Sequence, residues 1–446
     1  MVQYTDFARK IHATWNRIEK ANISPHNRAI LARFLKHMEA EGLSLSRIDR
    51  NLDLAKIYAE SLEPKKLDEV TREDIEGLVA SWNKAKNART GTPWTASTRS
   101  TYRTILKKFY RWLLGKNGQS PEQTAWIKSS IPAVETQVIS PSDMFSEADV
   151  RKLIDASDNI RDKAFIGGLY DSACRPEEYI TLRVGDVQVE EQITRLRVRK
   201  GKMGQRYVSL VLFPGLMTAW LNIHPQRNNK DAPLWIMESP NKKGQPFTYQ
   251  GARLLFKSLC LKAFFPAEME KLKVSLAKSI AKPTGYKPKT TMKRERLDLI
   301  KKHLRGQRWT LYNLRHSRAT ELVKLGVSIS ALQRHMGHSR INRTQRYTHL
   351  SEKDVSSELM RAQGMETEEP VKRVSELRPR VCARCKETND ATNDFCKRCG
   401  GVLSLEVAQR MQDAQQAFIE ATVLKELDKM RTLKYAKEEL ARRKDT

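Results

Sequence analysis

The chain reads HMGHSRINRTQRYTHL over residues 335–350, and LYNLRHSRATELVKLG shortly before it, over residues 311–326. Breaking a phosphodiester requires a nucleophile, cations that hold the growing negative charge, and an acid for the departing oxygen. Tyr347 offers a nucleophile, Arg315 a cation, and His338 an imidazole that titrates near neutral pH. The two stretches therefore predict chemistry on a phosphate.

An upstream segment adds further groups of the same kind. In YDSACRPEEYITLRVGDV, residues 170–187, Arg175 stands at the start of a predicted helix, and Glu178 follows one turn later. A carboxylate at this spacing can orient a guanidinium. Next, ITRLRVR and RYVSLVL alternate β-branched residues on either side of KGKMGQ, which predicts a β-hairpin.

The charge balance indicates the partner. The chain has 446 residues, with 81 Lys plus Arg against 52 Asp plus Glu, and its net charge is +29. Such an excess attracts polyanions through counterion release, so we expect nucleic acid as the partner. We expect no membrane partner and a soluble, cytoplasmic protein, because no apolar stretch approaches the roughly 20 residues of a membrane span.

The chain is long enough for two or three domains. Residues 1–130 read as a helical domain, and residues 131–145, which contain two prolines, read as a linker. Residues 146–360 predict a second, α+β domain with a basic insertion at about 271–308. The predicted fold class is mainly α with a small antiparallel β-sheet. Residues 404–446 predict an amphipathic helix for self-association or for docking on a neighbour.

Four of the six cysteines lie together near the C-terminus. CARCKETNDATNDFCKRCG, residues 382–400, has the spacing C-x2-C-x10-C-x2-C, formed by Cys382, Cys385, Cys396 and Cys399. Four thiolates at this spacing predict one tetrahedral zinc ion with no open ligand position, and hence a structural role. Residues 378–403 resemble a zinc ribbon, a unit too small to bury a core without a metal.

The catalytic motifs together resemble those of the tyrosine recombinase family, the phage-type and Xer-like integrases. RPEEYITL, GKMGQRYVSL, YNLRHSRAT and MGHSRINRTQRYTHL follow in the order and spacing of the family's arginine, hairpin lysine, second arginine, histidine and tyrosine motifs. The resemblance covers residues 146–355 firmly. It covers residues 1–130 loosely, as the DNA-clamping domain of that family.

The resemblance implies a role for each motif residue. Arg175 and Arg315 would hold the non-bridging oxygens of the scissile phosphate, and Glu178 would orient Arg175. Lys202, with Lys200 as the alternative, would be the acid for the 5′ oxygen. His338 would donate a hydrogen bond to the phosphate or help to deprotonate the tyrosine.

Tyr347 would attack the phosphate and form a 3′-phosphotyrosyl bond, a reaction that needs neither ATP nor a divalent metal. Tyr312 stands where the family usually has histidine. Either its phenol replaces the imidazole as a hydrogen-bond donor, or activity is reduced. The neighbouring His316 is not an obvious substitute, because consecutive helix residues point about 100° apart.

The resemblance implies a site-specific DNA recombinase, or integrase, that acts as a homotetramer on two double-stranded DNA duplexes at specific attachment sites. The ribbon suggests an archaeal integrase that serves viral or plasmid genome integration. A type IB topoisomerase shares the tyrosine chemistry and is the second enzyme considered. A non-catalytic DNA-binding protein derived from a recombinase is the third possibility, because Tyr312 departs from the family pattern.

Overall fold

The computed structural model describes residues 7–87, 91–115, 119–127, 144–201, 204–238, 242–271, 274, 298, 309–345, 347, 363, 375 and 377–442. The chain forms two compact units, Met1–Val138 and Ile139–Thr446. Most of the predicted linker and nearly all of the basic insertion at 271–308 fall outside the described residues.

The first unit is helical. Its described helices are α1 (Phe7–Lys20), α2 (Pro25–Ala40), α3 (Leu45–Leu62), α4 (Arg72–Lys84), α5 (Ala96–Leu114) and the short α6 (Glu122–Ala125). Ser24 caps α2 with Pro25 at its first turn, and Thr71 and Asp74 close a capping box on α4.

Aromatic side chains fill the core of the first unit. Phe34 of α2 packs edge-on against Phe109 of α5, with ring centroids 5.0 Å apart, and Trp112 covers both. Tyr58 of α3 is fully buried, and its hydroxyl donates to the Tyr102 carbonyl. The apolar stripe of α5 therefore faces the core, as its spacing predicts.

The second unit mixes helices with a small sheet. It contains α7 (Glu147–Asp155), α8 (Ile160–Ser172), α9 (Pro176–Ile180), α10 (Pro214–Ile223), α11 (Tyr249–Phe264), α12 (Leu311–Lys324), α13 (Ile329–Met336) and α14 (Asn342–Gln345). Strands β1 (Val187–Val189), β2 (Thr194–Gly201) and β3 (Gly204–Leu210) form an antiparallel sheet in the order β1-β2-β3. The predicted hairpin is β2 and β3, and β1 adds a third strand.

Helix α8 is the centre of this unit, because almost every one of its residues is buried. Its Asp171 carboxylate accepts hydrogen bonds from three successive backbone N–H groups, those of Val211, Leu212 and Phe213, and it pairs with the buried Arg318. Helix α8 ends at Ala173, which has a φ of 46°. This left-handed residue brings the chain to Arg175 and α9.

The cysteine-rich segment contacts the rest of the second unit. Strands β4 (Arg380–Val381) and β5 (Thr388–Asn389) form an antiparallel pair. The Asp390 carboxylate, which is buried, accepts hydrogen bonds from the Gly215 and Leu216 N–H groups in the first turn of α10. A carboxylate satisfies unpaired N–H groups at that end of a helix, so this small segment is held against the larger unit.

A long helix, α15 (Leu405–Arg442), follows the cysteine-rich segment. It carries exposed apolar side chains, among them Met411, Phe418 and Leu424. Its docking or self-association stays a prediction. The predicted fold class, mainly α with small antiparallel sheets, is confirmed. Within the described ranges, no helix has both the length and the apolar character that a membrane span requires.

Candidate active site

Arg175 begins the site at the N-terminus of α9. One guanidinium nitrogen, Nη1, donates to Glu178 Oε1 at 2.8 Å, and Nη2 donates to the Gly337 carbonyl at 3.0 Å. The Arg175 N–H also donates to the Glu178 carboxylate, at 3.2 Å. The carboxylate one turn later therefore fixes both the helix start and the guanidinium.

Arg206 of β3 joins the same carboxylate. Its Nη2 donates to Glu178 Oε2 at 2.7 Å, and its Nε donates to the His335 carbonyl at 3.3 Å. Burial alone would raise the pKa of Glu178, but Arg206 and then Arg175 lower it below its usual value. Glu178 is therefore an anion that links two arginines.

Arg315 lies deeper, on α12, with 2% of its surface exposed. Its Nη1 donates to the Ala173 carbonyl at 2.5 Å, and its Nη2 donates to the Met336 carbonyl at 2.9 Å. Burial, and then the charge of Arg175, lowers the pKa of Arg315 to about 10. The guanidinium therefore remains charged at neutral pH.

His338 contacts Arg315 directly. The His338 Nε2 atom lies 2.9 Å from Arg315 Nη2, and its Nδ1 lies 2.8 Å from Thr344 Oγ1. A guanidinium only donates, so Nε2 accepts and the ring proton is on Nδ1, which donates to Thr344. We assign the tautomer from this network. His338 is thus a neutral imidazole held at both nitrogens.

Tyr347 is 1% exposed and packs with Ala319, Val323, Leu332 and Met336 of α12 and α13. Its hydroxyl lies 2.7 Å from His316 Nδ1, and the two ring centroids are 5.9 Å apart. The Tyr347 ring is therefore buried in an apolar cluster, and its hydroxyl oxygen contacts the His316 imidazole.

Tyr312 makes a different contact. Its hydroxyl donates to Glu177 Oε2 at 2.6 Å. Burial raises the pKa of Tyr312 above its ordinary value, and the hydrogen bond to Glu177 raises it further. Tyr312 is therefore a neutral hydrogen-bond donor on the same helix as Arg315.

Gly337 allows the close approach of these groups. Its φ is 64°, a left-handed conformation that suits glycine, and it ends α13. A Cβ at this position would lie 2.8 Å from the Arg206 guanidinium carbon. The glycine of the Met-Gly-His stretch thus makes room for Arg206 while its carbonyl binds Arg175.

The structure thus brings several of the predicted residues into contact. Arg315 contacts His338, and Arg175 binds both Glu178 and the Gly337 carbonyl. The Tyr347 hydroxyl contacts His316, and the Tyr312 hydroxyl contacts Glu177. Lys202 lies outside the described residues, and the side chain of Lys200 does as well.

Two residues of the site, Arg206 and His316, cannot be recognised from the sequence. Arg206 stands in the hairpin sequence, but nothing in a strand pattern shows that its guanidinium contacts Glu178. His316 points away from Arg315 on their helix, and its contact is instead with Tyr347, which follows α14 in the chain.

The four cysteines also come together. The sulfur atoms of Cys382 and Cys399 are 3.6 Å apart, and those of Cys385 and Cys396 are 3.5 Å apart. All four sulfurs lie within 4.8 Å of one another. A tetrahedral zinc with Zn–S bonds of about 2.3 Å separates its sulfurs by about 3.8 Å, so the donor set fits this metal.

Comparison with known proteins identifies the family. The model of the phage integrase family matches residues 143–275 and 280–354. The tyrosine recombinase XerD of Bifidobacterium longum is 26% identical over 337 residues, which cover 71% of this chain and 91% of that protein. The tyrosine recombinase XerA of Pyrococcus furiosus is 27% identical over 223 residues, 50% of this chain and 62% of that protein.

These matches support a tyrosine recombinase. A solved structure of the XerH site-specific recombinase, a post-cleavage complex with a palindromic difH substrate, matches this chain with a TM-score of 0.50. It is 14% identical, and the match covers 81% of this chain and 90% of that one. The structural likeness supports the shared fold.

The expectation of a site-specific recombinase that breaks and rejoins DNA is confirmed. The comparisons give no support to the topoisomerase or to the non-catalytic protein. The expectation of an archaeal source stays a prediction.

Proposed function

We propose that this recombinase cleaves double-stranded DNA with Tyr347, holds the strand as a 3′-phosphotyrosyl ester, and rejoins it to a new partner. The observation that carries the proposal is the cluster in which Arg315 contacts His338 and Arg175 binds the Gly337 carbonyl next to it. Two arginines from different helices that both contact residues 336–338 form a site for a doubly charged transition state.

Arg175 and Arg315 receive the non-bridging oxygens of the scissile phosphate. Planar guanidinium groups match phosphate geometry, and their backbone contacts with Gly337, Ala173 and Met336 preorganise them. A hydrogen bond to a charged group contributes about 1.5 to 3 kcal/mol, and each 1.4 kcal/mol changes the rate about tenfold. Two arginines can therefore supply a large part of the stabilisation.

The remaining roles follow the same chemistry. Tyr347 attacks phosphorus, and Lys202 or Lys200 protonates the departing 5′ oxygen. When DNA binds, the Nδ1–H of His338 exchanges Thr344 for a phosphate oxygen, and the Tyr312 hydroxyl exchanges Glu177 for one. Glu178 keeps Arg175 in place. Tyrosine recombinases need no cofactor for this reaction, because the phosphotyrosyl ester retains most of the energy of the broken bond.

The four-cysteine cluster holds one structural zinc ion. When bound, the metal cross-links two short loops that bury little apolar surface of their own. Asn389 supports the cluster, since its Nδ2 lies 3.7 Å from Cys396 Sγ and its Oδ1 accepts from the Lys397 N–H. Asp390 then attaches the ribbon to α10.

The recombinase acts as a homotetramer on two duplexes at specific attachment sites, for integration of a viral or plasmid genome. Residues 1–130 and the catalytic domain each contact the duplex. Two observations support the DNA partner in this proposal: the helical first unit and the net charge of +29. Charge of this size favours the polyanionic duplex through counterion release.

The proposal is tested with a library of nicked duplexes that carry a randomised core. Protein-linked DNA is captured under denaturing conditions and sequenced, and the selected site is placed in two duplexes of different length. We expect covalent capture of a defined sequence and joined products that combine the two lengths.

Each result decides between functions. Relaxation of supercoiled DNA with no joined products would indicate a topoisomerase. Binding without covalent capture would indicate a non-catalytic protein. Joined products would establish recombination, and the selected sequence would give the attachment site.

A further inference from the structure

Tyr347 must lose its phenolic proton before its oxygen can bond to phosphorus. The apolar cluster of α12 and α13 holds the ring, and the hydroxyl emerges at His316 Nδ1, 2.7 Å away. This is the heavy-atom distance of a hydrogen bond that can carry a proton. The two rings are tilted by 40°, so they are not simply stacked.

Among the residues that the structure describes, the other candidates for this proton are engaged elsewhere. His338 has Nε2 on Arg315 and Nδ1 on Thr344, and its Nε2 lone pair faces a guanidinium. Tyr312 donates to Glu177. The His335 side chain is a poor base, because burial, and then the charges of nearby arginines, lowers its pKa to about 4.

We propose that His316 is the base that removes the proton from Tyr347 and returns it when the strand is rejoined. This inference rests on the proposed function. In cleavage, the phenolic proton moves to His316 Nδ1, the phenolate oxygen bonds to phosphorus, and the bond from phosphorus to the 5′ oxygen breaks. The departing 5′ oxygen takes a proton from the hairpin lysine.

Rejoining runs the same steps in reverse. The 5′ hydroxyl gives its proton to the lysine and attacks phosphorus, the bond to Tyr347 breaks, and the phenolate takes the proton back from His316. The positive charge of Arg315 favours the phenolate, because Arg315 interacts electrostatically with Tyr347. For Nδ1 to accept, the neutral ring must carry its proton on Nε2.

The test compares substitutions of His316 that distinguish a residue that accepts the proton from one that only hydrogen-bonds the phenol. In His316→Asn, an amide stands near the Nδ1 position and can still hydrogen-bond the phenol, but it does not accept a proton. In His316→Ala, both functions are lost. We expect single-turnover cleavage of the selected nicked duplex to fall by roughly a hundredfold or more in both variants, with DNA binding and thermal midpoint near wild type.

Two further measurements isolate proton removal. A 5′-bridging phosphorothiolate provides a leaving group that needs no acid, so it should restore Lys202→Ala and leave His316→Asn slow. Replacing Tyr347 with 3,5-difluorotyrosine, a more acidic phenol, should recover at least about tenfold of the His316→Asn loss. His224→Asn, which changes a buried histidine at the end of α10, is the matched control for histidine loss.

Cleavage by His316→Asn within about threefold of wild type would overturn the proposal, since a hydrogen bond alone would then suffice. A His316→Asn loss that difluorotyrosine does not relieve would overturn it too. If His316→Asn does not fold, the same difluorotyrosine comparison is made in His316→Gln. Failure of the wild-type chain to form any adduct would instead refute the proposed function.

Discussion

The cysteine-rich ribbon and the catalytic site are both small polar clusters, but they are assembled in different ways. The ribbon draws its four sulfurs from residues 382–399, whereas the catalytic site joins residues 173–178, Arg206, residues 312–318 and residues 335–347. The spacing of four cysteines within one short segment is enough to form the ribbon cluster. The catalytic site forms only when distant elements of the second unit pack together.

Among the residues that hold the phosphate, Arg315 should have the largest effect when it is replaced. Arg315→Ala removes a buried cation that joins α12 to the Ala173 and Met336 carbonyls and contacts His338. We expect single-turnover cleavage to fall at least about a hundredfold, and Arg315→Lys to recover only part of it, because an ammonium lacks the planar fork. A loss of less than about tenfold in Arg315→Ala would remove Arg315 from the phosphate site.

Replacing Gly337 with alanine should slow cleavage, whereas the same change at Gly326 should not. Both glycines have positive φ, 64° and 87°, so alanine should cost either position about 1 to 2 kcal/mol of unfolding free energy. Only at Gly337 would the added Cβ meet Arg206, because nothing lies within 4 Å at Gly326.

We therefore expect Gly337→Ala to slow cleavage by roughly tenfold and Gly326→Ala to leave it unchanged. Chemical denaturation and single-turnover cleavage measure the two effects separately. Equal cleavage rates in the two variants would show that the Arg206 contact does not matter to the site.

The sequence predicts which residues form the ribbon and most of the catalytic site, but it does not predict the side-chain contacts between distant elements. The cysteine spacing predicts the ribbon cluster because the loops between the cysteines are short. The order of the motifs predicts that the site contains Arg175, Arg315, His338 and Tyr347. No local pattern reports that Arg206 shares Glu178 with Arg175, or that His316 meets Tyr347. Such contacts are set by the packing of α12, α13 and β3, which periodicity within one element does not reveal.

The ribbon should bind one zinc ion that takes no part in DNA cleavage. We expect one zinc per chain by elemental analysis, and none after Cys382→Ser with Cys385→Ser, with local unfolding of the ribbon. The catalytic unit should stay folded, with a lower thermal midpoint because α10 loses its Asp390 contacts. Cleavage should remain within about tenfold of wild type, and excess EDTA should not stop it while the ribbon keeps its zinc.

Cys260→Ser is the control for the ribbon, since Cys260 is buried in α11, outside the cluster. Its zinc content should equal that of the wild type. Cleavage that depends on added magnesium would mean that the arginines do not supply the cations of the site.

Tyr312 should have the smallest effect. Its hydroxyl donates to the Glu177 carboxylate, so a bond to the phosphate only exchanges one anionic acceptor for another, and Tyr312→Phe should slow cleavage by about tenfold or less. Tyr312→His should be tolerated, because it restores the residue that the family usually has. A hundredfold loss in Tyr312→Phe would give this residue a larger part in the reaction.

Mapping the DNA-linked peptide tests the central claim most directly. The selected nicked duplex is trapped on the wild-type chain, the complex is digested with protease, and the linked peptide is sequenced by mass spectrometry. We predict a phosphotyrosyl peptide that contains Tyr347, and no adduct from Tyr347→Phe, which should still bind DNA. A linked peptide that contains Tyr312, or an adduct that persists in Tyr347→Phe, would contradict the account.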